Sequence, residues 1–108
     1  MELKPITPED QNEIYRFIQD LEFVQSLSSP LYLHFLAKSN YFDDEAFLNY
    51  LKYLSYFNNF EYKKYITYTR SLIYLDLLQY QFFRENLKKG EFINFLRDAN
   101  YFDWVEEM

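Results

Sequence analysis

Apolar residues in this chain recur at the three-and-four spacing of helices, and nowhere in the sustained alternation of a strand. Thr7-Pro8-Glu9-Asp10 opens the first predicted helix. Thr7 can cap, Pro8 suits the first helical position, and the acids favour the positive end of the dipole. Ile14, Phe17, Ile18, Leu21 and Val24 then form one stripe, while Phe23 lies off it and predicts a second contact. Ser28-Ser29-Pro30 ends this helix and starts the next, with Ser29 as cap. That second helix, about 30–38, turns Leu31, Phe35 and Leu36 inward and stops at Ser39-Asn40. Asp43 or Asp44 caps a third helix reaching about residue 57. Its core stripe is Phe47, Leu51 and Leu54, with Asn49, Lys52 and Tyr56 pointing away. Asn58-Asn59 breaks the pattern before a short fourth helix carrying Tyr62, Tyr65 and Ile66 on one face. A turn at residues 67–70 leads to a central fifth helix, about 71–87, apolar nearly all round. Lys88-Lys89-Gly90 stops it, and Phe92, Ile93 and Leu96 predict a last helix reaching towards Trp104.

The predicted fold is therefore all-α: a compact single-domain bundle of about five to six helices, without a sheet, over residues 1–108, with residues 1–6 flexible. A 108-residue chain buries about two-thirds of its extended surface, enough for one real core. Its 49% apolar content is too high for a disordered chain, and one glycine with three prolines leaves little linker. Without cysteine, disulfides and thiolate metal sites are excluded. A net charge of −6 argues against broad nucleic-acid binding, which needs phosphates neutralised. No apolar run approaches the ~20 residues of a membrane span, and the acidic start MELKPITPED is unlike a signal peptide.

The sequence offers little chemistry. His34, the single histidine, lies on the polar side of the second helix without partners for general-base work. Asp43-Asp44-Glu45 reads as a helix start, since hard cations need more oxygens at loop spacing. Asp76 and Gln79 read as a buried hydrogen-bonding pair holding a neighbouring backbone. No catalytic residue, cofactor or metal is expected.

What stands out is the 23% aromatic content, with twelve tyrosines and twelve phenylalanines. Each buried phenol needs a hydrogen-bond partner, so many tyrosines should sit at the rim of the core with a wet hydroxyl. Tyrosines recur at a spacing of three, at 50, 53 and 56 and again at 62, 65 and 68. Tyr50, Tyr53, Phe57, Tyr62, Tyr65 and Tyr68 are the candidate partner-binding residues. They are expected to line a trough between the third and fourth helices that takes an extended, proline-rich peptide. Proline rings would stack on tyrosine, and hydroxyls would reach peptide carbonyls. The same pattern is compatible with a core rim that binds nothing. It is also compatible with single-stranded nucleic acid stacking on the tyrosines beside Lys52, Lys63 and Lys64.

Four ordered stretches resemble a known family. LEFVQSLSSPLYLHFLAKSNYF (21–42), AFLNYLKYLSYF (46–57), EYKKYITY (61–68) and LLQYQFFRENL (77–87) are similar, in that order, to blocks of the Mediator subunit 31 family. The resemblance covers about 21–87. It implies a non-catalytic helical bundle in the middle module of Mediator, the nuclear assembly that links activators to RNA polymerase II. It also implies an architectural and regulatory role, through binding the proline-rich N-terminal segment of Mediator subunit 7 and neighbouring middle-module subunits. Any effect on the polymerase would be indirect, with no direct nucleic acid or membrane. The chain departs from the family pattern at Phe57, where tryptophan is usual, and at Phe60 and Thr69, where proline is common.

Overall fold

The computed structural model describes the backbone of residues 7–107 and the side chains of residues 7–99. The flexibility expected of residues 1–6 lies outside the described residues. Seven α-helices follow one another: α1 (Pro8–Ser26), α2 (Pro30–Lys38), α3 (Glu45–Tyr53), α4 (Phe60–Lys63), α5 (Thr69–Leu77), α6 (Gln81–Asn86) and α7 (Gly90–Glu107). A 3₁₀ turn, Tyr41–Asp43, precedes α3, and another, Leu54–Asn58, continues it. Among the described residues there is no strand.

Local chemistry sets most of the boundaries. Thr7 and Asp10 form a reciprocal capping box at the start of α1. The Ser29 hydroxyl accepts from the Tyr32 backbone N–H, and Asp44 accepts from that of Ala46 at 2.9 Å. Asn40 closes α2 in the left-handed region at φ 64°, which asparagine tolerates better than most residues. Gly90 differs from expectation: it has no positive φ and opens α7 instead of closing the helix before it.

Two predicted faces hold only in part: Phe17, Leu21 and Val24 of α1 and Leu36 of α2 pack inward as expected. On α1 the inward stripe runs through Phe17, Asp20, Val24 and Leu27, and leaves Ile14 and Ile18 exposed. On α2 the buried positions are Leu33, Leu36 and Ala37, while Leu31 and Phe35 face outward. Both helices are apolar on more than one side, so spacing alone does not say which side the core takes.

The predicted central helix is two helices. The chain becomes extended at Tyr80 (φ −103°, ψ 129°) between α5 and α6, with no glycine or proline to mark the break. Side chains take up the Leu75 and Leu78 carbonyls at the break and tie it to Leu51 of α3. The Gln79 amide donates to Leu51 O and Leu75 O at 3.1 Å, and the Arg84 guanidinium donates to Leu78 O at 2.8 Å. Gln79 thus holds neighbouring backbone as expected, but Asp76 is exposed and accepts from the Asn58 amide at 2.9 Å. Leu77 and Phe82 are exposed for the same reason, since the helix that was to bury them all round does not continue.

One apolar core holds these elements together. Leu27 of the α1 end, Leu33, Leu51, Leu54, Phe57, Leu75, Leu78 and Leu87 are fully enclosed. Each such side chain contributes roughly 1.5–3 kcal/mol by leaving water. Within this frame α1 packs on α5, and the turn after α3 packs on α4 and α5. That arrangement brings the tyrosine-rich segments beside α1.

Candidate partner-binding site

The site begins with a change of helical pitch. In α3 the side chains repeat every 3.6 residues, but in the 3₁₀ turn Leu54–Asn58 they repeat every three, so residues three apart align. Tyr50 and Tyr53, both in α3, already share one face, and the tighter turn sets Tyr56 in line with them. Tyr56, expected to point away, is brought in by the tighter turn. Its ring lies 4.4 Å from that of Phe57.

All three phenols of the row donate to one carboxylate. Tyr50 Oη lies 2.6 Å from Asp20 Oδ1, and Tyr53 Oη and Tyr56 Oη lie 3.0 and 3.1 Å from Asp20 Oδ2. Asp20, from α1, is 3% exposed. An ionised carboxylate is an acceptor with about four lone-pair sites, so three O–H donors satisfy most of it and offset its desolvation. The phenols answer in kind. Burial first, then the hydrogen bond to Asp20, holds the Tyr50 and Tyr53 hydroxyls above the ordinary phenol range. Burial and then the Asp20 charge do the same for Tyr56. Asp20 was not singled out from sequence. Its signal was its place three residues after Phe17 and four before Val24, on an otherwise apolar stripe.

The remaining candidates divide. Phe57 is wholly buried and serves as the floor beneath Tyr56. Phe17 from α1 lies between the two tyrosine segments, with ring centroids 5.7 Å from Phe57, 6.1 Å from Tyr62 and 5.3 Å from Tyr65. The expected trough between α3 and α4 is therefore partly filled by α1, because α1 turns Phe17 inward. Tyr62 is half-buried against Tyr56, 5.0 Å away and edge-on. Tyr65 is 47% exposed, with the Lys64 ammonium 5.3 Å over its ring. Tyr68 is exposed just before α5 and shares no ring contact with the row. The hydroxyls of Tyr62, Tyr65 and Tyr68 make no hydrogen bond to described residues.

The aromatic surface also runs further than the candidates. From Tyr50 it passes to Phe23 (5.5 Å), Phe47 (5.9 Å), Tyr41 (5.4 Å) and Phe35 on α2 (6.4 Å). A continuous ribbon of rings thus crosses one side of the molecule. Its faces are open to solvent at Phe35, Tyr41, Tyr53 and Tyr65. Beside it, Glu13, Arg16, Phe17, Asp20, Tyr53, Tyr56 and Tyr62 line an open notch between α1 and the turn after α3.

Such a surface can stack flat or ring-shaped groups and accept or donate a few hydrogen bonds. The other polar features are structural. His34 Nδ1 is 2.7 Å from the Leu87 carbonyl oxygen and ties α2 to the end of α6. Among the described residues no group of three or more histidines and carboxylates could hold a metal ion. No helix there is long and apolar enough to cross a membrane.

Comparison with known proteins places these features in a family setting. Residues 14–108 match the family model Med31, described as SOH1. A Schizosaccharomyces pombe protein, Mediator of RNA polymerase II transcription subunit 31, is 41% identical over 105 residues, covering 97% of this chain and 76% of that protein. The Danio rerio protein of the same name is 41% identical over 95 residues, covering 88% and 70%. A Dictyostelium discoideum relative, also named for subunit 31, is 50% identical over 96 residues, covering 89% of this chain. The chain spans only 54% of that last protein's length.

Proposed function

The chain belongs to the Med31 (SOH1) family, and on that premise we propose that it is a non-catalytic subunit of the Mediator complex in RNA polymerase II transcription. Its place is then the nucleus, and its work is to hold other Mediator subunits. The finer reading is that the aromatic ribbon docks the extended, proline-rich N-terminal segment of Mediator subunit 7, with Tyr53, Tyr62, Tyr65 and Tyr68 as contact residues. The supporting observation is that the rings of Phe35, Tyr41, Tyr53 and Tyr65 stand open to solvent along one continuous chain of ring contacts. Exposed apolar patches of this kind mark interaction sites. Proline rings suit them because a polyproline helix is already extended and loses little entropy on binding.

The geometry refines how such a segment is held. Each phenol has a single O–H. Those of Tyr50, Tyr53 and Tyr56 are committed to Asp20, so they cannot donate to peptide carbonyls. Tyr62, Tyr65 and Tyr68 retain that capacity. Tyr50 and Phe57 therefore act beneath the surface, as support.

Replacing Tyr65 and Tyr68 together with alanine should weaken capture of the subunit 7 segment about tenfold, or ~1.4 kcal/mol. Helical circular dichroism should be unchanged. Full retention of affinity would remove the ribbon as the docking surface.

A further inference from the structure

The notch between α1 and the turn after α3 differs from the rest of the ribbon in its hydrogen polarity. Two of its three phenols, Tyr53 and Tyr56, point their protons inward to Asp20. Outward they offer only oxygen lone pairs and π faces. Their rings are mutually inclined, at 58° between Tyr53 and Tyr56 and 84° between Tyr56 and Tyr62, so they form walls instead of one flat floor. Glu13 and Asp20 line the same notch with two carboxylates against the single guanidinium of Arg16. Against these acceptors the lining's free donors are Arg16 and the single hydroxyl of Tyr62.

A run of prolines is poorly matched to such a place. Prolines bring carbonyl acceptors and no N–H, and would meet further acceptors. A Lys ammonium or Arg guanidinium is matched on every count. It has only donors, it is attracted to the faces of tyrosine rings, and it carries the charge opposite to the lining.

We propose that this notch is a seat for one cationic side chain of the docked segment, with Tyr53, Tyr56 and Tyr62 as its walls and Glu13 as its exposed counter-charge. The assignment rests on the docking reading above and makes it directional. Proline residues lie towards Tyr65 and Tyr68, whose hydroxyls can donate, and a basic residue follows on the α1 side. Asp20 is a positioning residue here. It turns the phenol protons away from the ligand and leaves the rings as acceptors.

The probe is a polyproline peptide carrying one central lysine, compared with its Nε-acetyl-lysine twin, titrated into the intact chain and followed by NMR. The lysine peptide should bind about fivefold tighter at low salt, and the preference should shrink as salt is added. Glu13→Gln should narrow the preference for lysine over acetyl-lysine and Arg16→Gln should widen it. Both residues are exposed, so neither change threatens the fold. Equal binding of the two peptides overturns the seat and leaves proline docking in place. Responses of the same sign from the Glu13 and Arg16 variants overturn it as well. Binding of neither peptide also overturns it, and the docking reading is then judged separately by capture of the subunit 7 segment.

Discussion

At the scale of single residues, the decisive group is a carboxylate that composition gave no reason to notice. Asp20 sits among apolar neighbours and stays there because three phenols bring it three donors. The balance is chemical more than geometric. Asp20→Asn keeps the shape but replaces one acceptor oxygen with an NH₂ that only donates. At least one phenol proton then faces another donor, so the variant should lose about 1–3 kcal/mol in urea unfolding. Stability equal to the parent would show that the three bonds contribute little. The same cluster sets an alkaline limit. The folded chain holds the protons of Tyr50, Tyr53 and Tyr56 more tightly than the unfolded chain, whose phenols ionise near the ordinary value of 10.0. Their contribution is complete below that pH and is lost as pH rises through the higher folded values. Tyrosinate absorbance should therefore show three late phenols that ionise only as helicity falls. Simple titration of all tyrosines near pH 10, with the helices intact, would contradict this.

At the scale of elements, what could be read from sequence depended on whether the controlling chemistry was local. The Thr7, Ser29 and Asp44 caps, and the stop at Asn40, are written in adjacent residues, and the structure places them as expected. The break between α5 and α6 was not legible, because no glycine or proline marks it and the side chains that stabilise it, Gln79 and Arg84, do so through carbonyls of the folded break and of Leu51 on α3. Nor was the exposure of Ile14, Ile18, Leu31 and Phe35, which look like core beside the correctly read Phe17, Leu21, Val24 and Leu36. The tyrosine spacing was visible, but its meaning was not. Tyr50 and Tyr53 share a face of α3, and the switch to a 3₁₀ turn brings Tyr56 to join them on Asp20. Two substitutions test this level. Gln79→Leu leaves the Leu51 and Leu75 carbonyls without their side-chain donor and should cost about 1–3 kcal/mol, read as a lower urea midpoint with an unchanged slope. Gly90→Ala should act in the opposite direction. A Cβ there meets nothing within 4 Å and φ is not positive. Reduced freedom of the unfolded chain should then add about 0.4–1 kcal/mol. A fall in melting temperature would mean that the α6–α7 junction needs its glycine.

At the scale of the whole molecule, the extents of 55 × 39 × 19 Å describe a slab about two helices thick. Its radius of gyration, 16.3 Å, exceeds the ~13 Å of a spherical domain near this size. One seam of leucines between the layers carries the fold, so Leu51→Ala should cost about 2–5 kcal/mol and abolish cooperative melting in the isolated chain. The aromatic side chains left outside that seam are available to a partner, and a saturating partner segment should raise the melting temperature. The slab's thinness also bears on supply. A body with so little interior and so many rings on its skin is a poor competitor against proteolysis while it is alone. Its abundance in a cell should follow the amount of the protein that covers it, not the amount of its own message. Depleting that cover should shorten the half-life of newly made copies while transcript levels stay constant.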